Sequence, residues 1–173
     1  TREIKEDYVQ QALDAGYITY EDVRDAIFGG ETRVKQLQEV IRLAKKQGIQ
    51  VGVLSFGCRN EIRSSLGALR ELGLDLGIPD ELVYARHNSR GAGMEDDWGE
   101  GWRRGVTKAS WLRDTFGQRS AVLVDDDLGF VTQIYMDMGA ITKYSAGGYH
   151  SNAEGVDTDD FTHIKDVMIA HSS

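Results

Sequence analysis

The sequence predicts an α/β domain with a mostly parallel sheet. Two observations carry this expectation. Apolar stripes at helical spacing alternate with short apolar runs along the chain, the pattern of helices crossing between parallel strands. With 20 glycines and one proline, the elements are joined by glycine-containing turns and not by proline-rich linkers. The 173 residues suit one domain over residues 1–173, with a small helical segment at 1–30.

The elements follow in order. EIKEDYVQQALD (3–14) places Ile4, Tyr8, Val9 and Leu13 at helical spacing, and AGY closes that helix. ITYEDVRDAIFGG opens a second, with Thr19 or Tyr20 near its start and Gly29-Gly30 as its stop. ETRVKQLQEVIRLAKKQG is a third, striped by Val34, Leu37, Val40, Ile41 and Ala44. Lys45 and Lys46 suit the negative end of its dipole, and Gly48 ends it. IQVGVLSFG then supplies a strand of Ile49, Val51, Val53 and Leu54 that ends at Ser55. RNEIRSSLGALRELGLD is helical, with Ile62, Leu66, Leu69 and Leu72 inward, and ELVYAR (81–86) is a strand. Residues 86–106 have no period and are rich in glycine and polar groups, which reads as a long flap-like loop or a surface loop of mixed charge. His87, Arg86, Arg90, Trp98, Trp102, Arg103 and Arg104 stand in it, available to cover a site. VTKASWLRDTFG is a short helix, SAVLVDDD a strand, GFVTQIYMDMG a helix and AITKYS a strand. DTDDFTHIKDVMIAH closes as an amphipathic helix with Phe161, Ile164, Val167 and Met168 inward.

Composition narrows the function classes. The formal charge of -8 argues against a nucleic-acid surface. No apolar run approaches the ~20 residues of a membrane span. TREIKEDYVQ is too charged for a secretory signal. Cys58 is the only cysteine, so no internal disulfide and no cysteine zinc cage can form. The expected setting is intracellular and cytoplasmic, with no nucleic acid and no membrane as partner.

Chemistry concentrates at strand ends, where such sheets bind ligands. Ser55 ends one apolar run and Asp125, Asp126 and Asp127 end another. Carboxylates held side by side repel, and a cation is the usual remedy. Each residue also has a plain structural reading. Ser55 ends a strand or caps the next helix, Lys108 is a solvated lysine in a first helical turn, and the aspartates sit at a helix N-terminus.

In order, type and context, VGVLS with Ser55, VTKASWL with Lys108, and AVLVDDD with Asp125 and Asp126 resemble the second, third and fourth motifs of the haloacid dehalogenase-like (HAD) superfamily. The resemblance spans roughly residues 31–145. It implies a three-layer Rossmann-like core and a Mg²⁺-dependent phosphatase acting on a small phosphorylated molecule through an aspartyl-phosphate. Ser55 would contact the phosphoryl group and Lys108 would neutralise charge. Asp125 and Asp126 would hold Mg²⁺, which prefers oxygen ligands.

One part of the pattern is missing. The family's D-x-D-x-T, which carries the nucleophile at the end of the first, central strand, has no match before Ser55. Asp157, Asp159 and Thr162 look similar but have the wrong spacing and no apolar strand before them, and read as the start of the terminal helix. The expectation is a fragment whose first strand lies ahead of Thr1, with a second polypeptide supplying that strand as the next possibility. The alternative is a non-catalytic HAD-like binding or structural module. A receiver-like acidic domain is a third reading, but its acidic pair should precede the lysine.

Overall fold

A computed structural model describes residues 5–91, 93–116, 122–125, 142–145, 161 and 164–166. The first described element is a strand, not a helix: β1 (Lys5–Glu6) pairs antiparallel with β4 (Arg90–Gly91). Helix α1 (Tyr8–Asp14) then starts where the Asp7 carboxylate accepts the Gln10 N–H at 3.0 Å. Ile4, the first residue of the expected stripe, lies outside the described residues. Helix α2 (Tyr20–Phe28) opens in a reciprocal cap. The Thr19 hydroxyl accepts from the Asp22 N–H at 3.1 Å, and the Asp22 carboxylate from the Thr19 N–H at 2.8 Å. It stops at Gly29, whose φ of 81° suits a residue without a Cβ.

Helix α3 (Glu31–Lys46) buries Val34, Val40, Ile41 and Ala44, because residues three and four apart share a face. Strand β2 (Val53–Cys58) follows, and α4 (Arg59–Glu71) carries the chain back to β3 (Val83–His87), parallel to β2. Val53 is opposite Val83, Ser55 opposite Ala85, and Cys58 opposite His87, with an irregularity between Ser55 and Cys58. The strand thus runs past its expected end at Ser55, through a bulge.

Alternation along these strands divides two cores. Val53 and Val83 face α3 and α4, where Val34, Ile41, Leu66, Leu69, Leu74, Leu76 and Ile78 gather. Leu54, Phe56 and Tyr84 belong to a second cluster. Its buried members are Trp102, Ala109, Trp111 and Leu112 from helix α5 (Lys108–Phe116) and its lead-in, with Leu123 of β5 (Val122–Asp125). Strand β5 pairs parallel with β6 (Thr142–Ser145). Phe161 and Ile164, both helical, pack on Val40 and Ala44 of α3. The result is a small mixed α/β domain with short parallel strand pairs flanked by helices. Among the described residues no helix is long and apolar enough to cross a membrane.

Residues 86–106 lack a sequence period because backbone pairing, not a repeating stripe, holds part of them. The segment folds back along the outer edge of β3. The Asn88 N–H donates to the Asp97 carbonyl at 3.1 Å, and the Gly99 N–H to the Arg86 carbonyl at 2.8 Å. His87 and Trp98 form an antiparallel bridge between them. Two backbones meet at Gly99, where a Cβ would stand 1.9 Å from the Ala85 carbonyl oxygen.

Candidate functional site

Ser55 precedes the bulge of β2, and its Oγ accepts the Gly57 N–H at 2.9 Å. This local contact shapes the bulge. A hydroxyl both accepts and donates, so the Ser55 hydrogen stays uncommitted among the described residues.

Lys108 opens α5 behind a reciprocal pair. The Thr107 hydroxyl accepts the Ser110 N–H at 3.1 Å, and the Ser110 hydroxyl accepts the Thr107 N–H at 2.9 Å. A solvated lysine is the plain expectation for such a position, yet Lys108 is only 8% exposed. Its Nζ lies 5.3 Å from the centroid of the Phe56 ring, a distance at which a cation is attracted to the ring face. Phe56 directly follows Ser55, so α5 delivers Lys108 to the strand that carries Ser55. Successive strand residues face opposite ways, and no hydrogen bond joins Ser55 to Lys108.

Asp125 is the last residue of β5, in register with Ser145 of β6. Leu123, two residues before it, packs in the same cluster as Leu54 and Phe56, which ties β5 to the β2 core. Asp126 lies outside the described residues. Among the described residues no three His, Cys, Asp or Glu side chains are grouped to hold a metal ion.

Arg86 is the residue that pattern reasoning underused. Its Cζ lies 5.0 Å from the Trp98 ring and 5.7 Å from the Phe56 ring. The Trp102 ring meets Phe56 edge-on at 5.5 Å. Alternation along β3 was the available signal: with Tyr84 on the Phe56 face, Arg86 falls there too.

Two further groupings lie near the same strand ends. Cys58 and His87 are opposite one another in the ladder, a pairing that sequence spacing hides. Burial pushes the Cys58 thiol up from its ordinary value, and its Sγ sits 3.9 Å from the Met94 Sδ. A thiol held protonated is a poor nucleophile. Beyond it, Arg90 forks onto Glu61 with contacts of 2.8 to 3.1 Å, while the Tyr8 N–H donates to the same carboxylate at 3.3 Å. A surface depression of about 680 Å³ lies there, lined by Tyr8, Arg90 and Met94 among others but by neither Ser55 nor Lys108.

No family model, curated protein sequence or solved structure matches this chain.

Proposed function

We propose that this chain belongs to a HAD-like, Mg²⁺-dependent phosphohydrolase that works through an aspartyl-phosphate on a small phosphorylated substrate. The observation that supports it most is the placement of Lys108. Helix α5 buries this cation against Phe56, the residue that follows Ser55 in β2, and Phe56 packs in the cluster that also takes Leu123 of the strand ending in Asp125. A transferring phosphoryl group spreads negative charge over its oxygens. In this reading the Ser55 hydroxyl donates a hydrogen bond to one oxygen, and the Lys108 ammonium neutralises charge. The strand end offers carboxylate oxygens, the donor type Mg²⁺ takes, from Asp125 with Asp126 beside it. When bound, the ion supplies further charge neutralisation.

The nucleophilic aspartate would arrive on a further strand, from sequence ahead of Thr1 or from a second polypeptide. Two features support a place for it. Among the described residues β2 pairs only with β3 and β5 only with β6, while both pairs contribute to one apolar cluster. Along β2, Val53, Leu54 and Phe56 are only partly buried, whereas Val83 and Ala85 of β3 are buried.

The 173-residue chain alone should not hydrolyse an aryl phosphate. Completed by a strand ending in D-x-D, it should do so only with Mg²⁺, and Asp125→Asn should reduce turnover to background. Full turnover in that variant sinks the metal-ligand role. The absence of any D-x-D before Ser55 in this chain favours a second reading, a non-catalytic HAD-like module. That reading requires every strand-completed form to be inactive.

A further inference from the structure

Two buried N–H donors, Arg86 Nε and Trp102 Nε1, have no hydrogen-bond partner among the described residues. Native interiors leave few such groups unpaired, and each one asks for an explanation. Both belong to side chains packed on the Phe56 ring, Arg86 at 5.7 Å and Trp102 at 5.5 Å. Lys108 is the third group on that ring, at 5.3 Å. Trp102 is only 4% exposed, so its indole N–H is shielded from bulk solvent. Arg86 touches two aromatic rings and, among the described residues, pairs with no carboxylate. Phe56 and Arg86 also lie towards the carboxyl ends of parallel strands, the edge at which open α/β sheets take ligands.

We propose that Arg86 and Trp102 form an oxyanion subsite beside Lys108. Guanidinium presents a planar fork of donors that matches the oxygens of a phosphate or carboxylate. Trp98 and Phe56 hold that fork against their rings, so little side-chain freedom is lost when an anion docks. The Trp102 indole adds a single directed donor, and Lys108 adds charge. The ligand class is a compound bearing a phosphate or a similar oxyanion. As the place where a phosphorylated substrate is held, the subsite rests on the phosphohydrolase reading. As an oxyanion site it is measurable without Mg²⁺ and without turnover.

The test titrates the full chain with inorganic phosphate at constant ionic strength, in the absence of Mg²⁺, followed by calorimetry and tryptophan fluorescence. Saturable binding is expected. Arg86→Met should weaken it by about tenfold or more, the scale of a lost charge-assisted hydrogen bond. Trp102→Phe keeps an aromatic side chain on Phe56 while removing the indole donor, and should weaken it by a smaller factor. Arg42→Met, at an exposed arginine paired with Glu39, should leave it unchanged. Circular dichroism checks each variant, and if Arg86→Met fails to fold, Trp102→Phe and the unaltered chain decide. Lack of saturable binding by the unaltered chain overturns the subsite, as does undiminished binding in the folded variants. An inactive strand-completed protein that still binds phosphate through Arg86 sinks the catalytic reading alone. Mg²⁺-dependent turnover with no Arg86-dependent phosphate binding sinks the subsite alone.

Discussion

Gly99 and Gly67 show how one residue type meets opposite constraints. A side chain at Gly99 collides with the Ala85 carbonyl, which is backbone and has little room to move. Gly99→Ala should lower stability by ~1–3 kcal/mol or more, the usual range for forced overpacking. Gly67 lies inside α4, and a Cβ there meets nothing within 4 Å. Gly67→Ala should raise stability by about 0.5–1 kcal/mol, because glycine is a poor helix former. Urea unfolding of the two variants reads both signs. Cys58 gives a pH dependence at the same scale. Its thiol is raised by burial in the folded chain, so the unfolded chain loses that proton first as pH rises. Its contribution to stability is complete below the ordinary thiol value and is lost as pH climbs through the raised folded one. Cys58→Ala should flatten this alkaline decline in unfolding titrations. Lys108 marks where single residues stop being legible. A lysine opening a helix reads as solvated, and its burial depends on Phe56, a residue remote in sequence.

Whether an element was legible depended on whether its own residues set it. Helix α3 was readable because its stripe has helical spacing and its buried face follows that stripe. Leu69 is the matching inward residue of α4 and is fully buried. Leu69→Ala should cost ~2–5 kcal/mol, measurable as a fall in the urea midpoint with little change in slope. Strand β1 was not readable, since two residues have no period and its partner is the distant Arg90–Gly91. The same holds for the return of residues 97–99 onto β3. Strand β2 was legible in its apolar run but not in its end, because the Ser55 hydroxyl and Gly57 make a bulge where the sequence reads as a stop. Of the candidate residues, Ser55 and Lys108 were singled out by motif order, whereas the setting of Arg86 came from pairing and packing.

At the scale of the molecule, the parallel pairs β2–β3 and β5–β6 share apolar cover, while β1 and β4 pair antiparallel. The β2–β3 pair is wrapped by α3 and α4 on one face and by α5 with Trp102 on the other. Residues of α3 also anchor Phe161 and Ile164 from the end of the chain. Helix–strand alternation made this plan legible, because each crossover has to cover a strand pair with an apolar stripe. The sequence could not show which edges of the pairs stay open, because edge pairing is a matter of backbone geometry.

The return of the 97–99 segment onto β3 makes the sheet directional. An uncovered edge strand is a template for ladders between molecules. On the β3 side that template is already occupied by the molecule's own backbone. Another chain cannot extend the sheet there without first peeling the segment away. Gly99→Val should lift it, and light scattering should then show more self-association than in the unaltered protein at the same concentration. The close approach at one glycine thus acts as a guard against polymerisation as well as a packing detail.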